Sequence, residues 1–331
     1  VLTGQIDGDT IGREHHMGFG LRHSSEVTSA LIASALMLVR PGPLAGRAVR
    51  IEAARQQAVF RAGVHAVRVD VSVSDGHVPV PGLTSADFSL SDNGVDQSVV
   101  AVAIEALPID VTLLVDTSAS TEGVITRFKT AVQRCADLLR PIDRVRLVTV
   151  SNRVDEVFPM QSPDQHLPVE AMQAGGGTAV NDAMIYAFAW DPGPDRRHLI
   201  VAFTDGEDNQ STSSPDTVVA VASRVDAVMH VVLADAYAPL QRAQLAAGQS
   251  QELASRSAIV DAAKRSGGDV HHVADAVAAF TEVFDDFRQS YTLYYSPQGV
   301  PPRGWHDILV AVRTPNDAHL TVRARKGYAG G

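Results

Sequence analysis

The sequence predicts an α/β chain in which a doubly wound, mostly parallel sheet is inserted into a β-sandwich-like domain formed by the N- and C-terminal strands. Three observations predict it. Between residues 109 and 289, apolar strand-like runs alternate with helical stretches, the pattern of a parallel sheet covered on both faces. Residues 67–104 hold short strands and turns with no helical period, as in half of a sandwich. Past residue 290 the β character returns in three short runs. Three lone strands do not bury a core of their own, so they are expected to pair with those at 67–104.

Taken in order, Val67, Val69, Val71 and Val73 alternate with Arg68, Asp70 and Ser72, which reads as a strand with one wet face. Asp75-Gly76 and Pro81-Gly82 are turns, and Asp92-Asn93-Gly94 after Phe88-Ser89-Leu90 is a hairpin signal. Val99 to Ile104 is the next strand. From Ile109 to Val115 nearly every residue is apolar, as in a strand buried on both faces. A helix is expected over 122–140, stopped by Pro141, then strands at 144–150 and 154–159 and a helix at 178–190. A strand at 198–203, a helix at 216–226 and a strand at 228–233 follow. The next helix reaches Ser266 and is capped by Gly267-Gly268; a short strand lies near 270–273 and a last helix at 275–289. Residues 236–253 break the rhythm and read as an inserted helix or mobile loop. The final strands are 291–295, 308–312 and 320–324. The divisions are a leader at 1–57, the sandwich-like domain at 58–107 with 288–328, and the α/β unit at 108–287.

The 331 residues carry a net charge of −10 with 5% aromatics. A surface of that sign repels phosphate backbones, which argues against nucleic acid as a partner. The single cysteine, Cys135, permits no intrachain disulfide and no cysteine metal site; it sits in a helical pattern as a buried small residue. In the leader, Met17 is the expected start. Arg22 and His23 precede the apolar run Ala30 to Val39, and small residues follow Pro43. This is the make-up of a secretory signal peptide, so the protein is expected to be exported. Apart from that candidate signal, no stretch is long and apolar enough to span a bilayer.

The strand at 109–115 runs into Asp116-Thr117-Ser118-Ala119-Ser120. Ligands of open α/β sheets bind at the carboxyl ends of strands, so Asp116, Ser118 and Ser120 belong in that crevice. Gly175-Gly176-Gly177 delivers Thr178 at a helix start, and Thr204-Asp205-Gly206 ends another buried strand. The five donors are three hydroxyls and two carboxylates, all hard oxygens. They suit Mg²⁺, Mn²⁺ or Ca²⁺ rather than Zn²⁺ or Cu²⁺, and a coordination position is left for a partner's carboxylate.

Asp-x-Ser-x-Ser, Gly-Gly-Thr and Thr-Asp-Gly in this order resemble the metal ion-dependent adhesion site of von Willebrand factor A-type domains, over roughly residues 108–285. The resemblance implies a Rossmann-like fold. It also implies that Ser118, Ser120 and Thr178 touch the metal directly, while Asp116 and Asp205 act largely through water and hold the hydroxyls. Ala119 stands where many relatives have glycine. Asp87-Phe88, Asp92-Asn93-Gly94 with Gln97, the run 291–297 and the run 322–328 are similar to a group of bacterial exported proteins related to these domains.

Other signals weigh less. His271-His272 with Asp275 is a conceivable metal pair, but neighbours on a strand point to opposite faces. Glu207 and Asp208 read as a solvated acidic loop, and Asp182 as support for the helix start. No P-loop, Gly-x-Ser-x-Gly or dinucleotide pattern appears in a matching context. The expected function is therefore non-enzymatic: binding of a protein that presents a carboxylate, through a divalent metal. The alternatives are an assembly subunit of an envelope complex and a Mg²⁺-dependent hydrolase, for which Glu207 or Asp208 is the candidate base.

Overall fold

The computed structural model describes residues 66–330 except 105–106, 164–166, 194, 234–249, 273–275 and 314–318. The expected leader at 1–57 and most of the expected insertion at 236–253 lie outside these residues, as does Asp275.

The described residues begin with β1 (Val67–Asp75), β2 (Val78–Pro79), β3 (Phe88–Asp92), β4 (Val95–Gln97) and β5 (Val99–Ile104). They continue through β6 (Ile109–Asp116), α1 (Ile125–Leu138), β7 (Arg144–Val150), β8 (Val154–Gln161), α2 (Val180–Phe188), β9 (Arg197–Thr204), α3 (Pro215–Ala222) and β10 (Val228–Leu233). Next come α4 (Ser250–Ser266), β11 (Val270–His272) and α5 (Ala276–Gln289). Last are β12 (Tyr291–Tyr295), β13 (Gly304–Val312), β14 (Thr321–Ala324) and β15 (Gly327–Gly330).

Six strands form the central sheet in the order β11-β10-β9-β6-β7-β8. Every pair is parallel except β7 with β8. All eight residues of β6 and of β9 are buried, because helices cover both faces. On one face α1 and α5 supply Phe128, Val132, Cys135, Phe280 and Phe284; on the other α2, α3 and α4 supply Met184, Phe188, Val218 and Ile259. The crossover from β6 runs over the first face and that from β9 over the second. The sheet therefore reverses its winding between these adjacent strands, which is where open α/β sheets bind ligands.

Strands from both ends of the chain share two further sheets. One has the order β14-β1-β12-β5, with β2 on β1; the other is β15-β13-β3-β4. Their pairings join distant segments, Val69 opposite Leu293 and Leu90 opposite Val310. Val69, Val71, Leu90, Tyr291, Leu293 and Ile308 pack into one core. The expected wet face of β1 needs correcting. Asp70, Ser72 and Ser74 are buried, since that face meets the central unit: Arg197 pairs with Asp70 at 3.1 Å and Ser72 donates to Asp286 of α5 at 2.5 Å. No helix among the described residues is long and apolar enough to cross a membrane.

Candidate metal centre

Asp116 is the last residue of β6 and is fully buried. Its Oδ1 accepts the Ser118 backbone N–H at 2.9 Å, and its Oδ2 accepts the Thr204 hydroxyl at 2.7 Å. Both bonds fix the carboxylate at the mouth of the crevice. Beyond it the chain makes a short 3₁₀ turn at Ala119–Thr121. Thr121 donates its hydroxyl to the carbonyls of Asp116 and Ser118, at 3.1 and 2.9 Å. This tight turn brings the Ser118 and Ser120 hydroxyl oxygens to 3.0 Å of each other.

The glycine loop is pinned to this turn. Gly175 donates to the Thr117 carbonyl at 2.8 Å, and Ala119 donates to the Gly176 carbonyl at 3.1 Å. Gly176 has φ +81, and a Cβ there would lie 2.8 Å from the Asn152 amide nitrogen. The position thus requires glycine for both conformation and space. Asn152 in turn accepts the Gly177 N–H at 2.6 Å. Thr178, 1% exposed, is held by its N–H on Asn209 Oδ1 at 2.9 Å, while its carbonyl takes the N–H groups of Asn209 and Gln210.

Asp205 follows β9 and is also buried. Its Oδ1 accepts the Glu207 N–H at 3.1 Å; its Oδ2 is buried without a hydrogen-bond partner. The guanidinium of Arg256, on α4, grips the Asp205 carbonyl through Nε at 3.0 Å and through Nη2. Gly206, at φ +82, leaves room for that side chain: a Cβ would meet Arg256 Cγ at 2.8 Å. Burial, and then the nearby negative charge of Asp205, push the Asp116 carboxyl up to about 7. A buried Asp116 carboxyl raised by its acidic neighbour, beside an Asp205 oxygen without a hydrogen-bond partner, is an environment that a cation would suit.

Among the described residues no three His, Cys, Asp or Glu side chains gather to hold a metal. The candidate set contains only two such groups, and the remainder are hydroxyls. The structure ties Asp116 to Ser118, Ser118 to Ser120, and the Thr178 loop to Ala119 through backbone bonds. Thr204, Asn209, Asn152 and Arg256 were not assigned roles from sequence. Thr204 stands within the Thr-Asp-Gly signal, but nothing local marks it as the donor to Asp116, 88 residues earlier.

Asp208 and Asp182 act as supports for the loops around the site. Asp208 is 7% exposed rather than solvated. It accepts the Asn181 N–H at 2.9 Å and the Ser211 hydroxyl at 2.6 Å. Asp182 accepts from Thr212 and Ser213; these bonds outweigh its partial burial and hold its pKa below the ordinary carboxylate value. His271 Nε2 lies 3.1 Å from His230 Nδ1; the side chain of His272 is outside the described residues.

The sequence matches the von Willebrand factor type A domain over residues 110–274. No curated protein matches it. Among solved structures, a von Willebrand factor type A protein from Catenulispora acidiphila is similar over 82% of this chain and 64% of that one, at 14% identity and TM-score 0.45. An aerotolerance-related membrane protein from Bacteroides fragilis is similar over 54% of this chain and 98% of its own, at 15% identity and TM-score 0.40. The PilB minor pilin from Streptococcus sanguinis is similar over 55% of this chain and 62% of its own, at 14% identity and TM-score 0.38. Through residues 110–274, wound as an α/β sheet with its acids at the reversal point, the chain belongs to the von Willebrand factor type A domain family.

Proposed function

We propose that this chain is a metal-dependent protein-binding module of an exported protein. In this reading Asp116, Ser118, Ser120, Thr178 and Asp205 hold Mg²⁺, with Mn²⁺ or Ca²⁺ as alternatives, and the partner is a protein presenting a carboxylate. The domain type supports the coarser statement, a protein-interaction module. The observation that carries the finer one is the buried, unpartnered Oδ2 of Asp205 beside a second buried carboxylate at the sheet's reversal point.

The residues divide the work. Ser118, Ser120 and Thr178 offer neutral oxygens, which leave a bound cation more of its charge. Asp116 and Asp205 offset that charge and fix the loops through Ser118, Thr204 and Glu207. A bound divalent ion would supply a coordination position for the partner's carboxylate, which a surface ion pair of about 0–1 kcal/mol does not match in direction or strength. Nothing in the site favours hydrolysis over binding, since Asp208, one of the two candidate bases, is engaged in holding the start of α2.

Titration calorimetry of the full chain tests this. Mg²⁺ or Mn²⁺ is expected to bind, and Asp116→Ala and Asp205→Ala to weaken it by at least about 10–100-fold. Partner capture is expected to vanish in chelator. No binding of any of the three cations, or equal binding by both variants, would overturn the reading.

A further inference from the structure

A cleft of about 820 Å³ opens where the five-stranded sheet meets α5, and it shares no residue with the metal loops. We propose that this cleft is a second binding site, which takes the Lys or Arg side chains of a basic protein segment.

Charge is the first argument. Asp269, Glu282, Asp285 and Asp286 line the cleft, against a single arginine, Arg323. Arg323 is divided between Asp286 at 2.7 Å and Asp269 at 3.4 Å. Glu282 pairs with His77 at 3.3 Å, a side chain that is 92% exposed. The carboxylates thus outnumber the cations that face them, on α5 at spacings of three and four residues, which share one helix face. Among the described residues no three acids or imidazoles gather closely enough for a metal. Spread negative charge of this kind suits extended organic cations instead.

The second argument is independent of charge. Ser74 lines the same cleft, is 3% exposed, and its buried hydroxyl has no hydrogen-bond partner. Side chains two apart on a strand share a face, and Ser72 reaches Asp286 of α5 from that face. The Ser74 hydroxyl is therefore turned toward α5 and the cleft, beside its cross-strand neighbour Thr321, which also lines it. A buried hydroxyl left unpaired is costly, and an incoming N–H would satisfy it. The volume lies within the about 300–1,000 Å³ of ligand pockets, with room for a few side chains. This site does not depend on the metal reading, so either can fail alone.

The test is fluorescence anisotropy of a labelled Arg/Lys peptide with the full-length protein, in EDTA at low salt. Spermidine serves as a competing arm to separate a peptide from a free polyamine. The expected result is saturable binding, weakened at least tenfold by the double variant Glu282→Gln with Asp285→Asn. Both positions are exposed on α5 and leave its buried face intact. Ser74→Ala is expected to weaken binding severalfold, and Asp116→Ala to leave it unchanged. Three outcomes would each overturn the proposal: no saturable binding; an equal loss on neutralising Asp96 and Asp137, exposed acids that do not line the cleft; or spermidine binding with no peptide binding.

Discussion

At the scale of single residues, what decides behaviour is which buried polar atoms have partners. His198 is 1% exposed, with Nε2 at 2.8 Å from the Thr112 hydroxyl and Nδ1 unpaired. Burial first, and then the positive charge of Arg146, push its pKa down to about 3. Burial and His271 do the same to His230, also to about 3. Both are ordinary histidines, near 6.5, once the chain unfolds. Between these values the unfolded chain binds more protons than the folded one. Stability is thus full above about pH 6.5 and falls as pH drops toward 3, with a slope of about 1.4 kcal/mol per pH unit per histidine. Urea unfolding at stepped pH should show this decline, and His198→Gln should make it shallower; identical slopes would refute the assignment. The five proposed metal donors come from short motifs in the sequence, four at the ends of apolar runs and Thr178 after three glycines at a helix start. Thr204, Asn152 and Arg256 were not legible there, because their partners are brought to them by folding alone.

At the scale of elements, the strands were easier to read than the helix starts. The helix expected from residue 122 begins at Ile125, because Thr121 and Ser118 first close a separate 3₁₀ turn. The helix expected to reach 226 ends at Ala222: Asp226 is drawn instead to Arg68, at 2.6 Å, and to Arg325. β15, with the sequence Gly-Tyr-Ala-Gly, carries no apolar alternation, and it becomes a strand by pairing with β13. α2 has Ala179 at its N-terminal boundary, with no side-chain cap of its own. Asp208 does that work from across a loop by accepting the Asn181 N–H. Asp208→Ala should therefore cost about 1–2 kcal/mol, the range for loss of a helix cap. Chemical denaturation would read this; an unchanged midpoint would show that Ser211 or water replaces the carboxylate without loss.

At the scale of the whole molecule, the alternation of strand and helix between 109 and 289 was plain from sequence, whereas the face of β1 was not. Its even-numbered residues read as solvated, yet Asp70 pairs with Arg197 and receives the Thr292 hydroxyl at 2.8 Å. Burial alone would raise the Asp70 pKa; Arg197, then Arg68, outweigh it and hold the carboxyl below its ordinary value. Arg197 also donates to the Phe287 carbonyl and to the Ser290 hydroxyl, so one guanidinium joins β9, β1 and the end of α5. Arg197→Met should leave Asp70 charged and buried, at a cost of about 3–5 kcal/mol. Replacing both partners with apolar residues should recover most of that loss, as read by thermal unfolding.

The same pairing has a consequence in time. Asp70 and Thr292 are 222 positions apart, and a ribosome adds about 5–20 residues per second. The first strand thus waits roughly 10–45 s for the neighbours that complete its sheet, while the central unit between them is already emerging. A nascent chain of this design completes these flanking sheets only after residues 291–324 have emerged, so β1 is among the last of the described strands to settle.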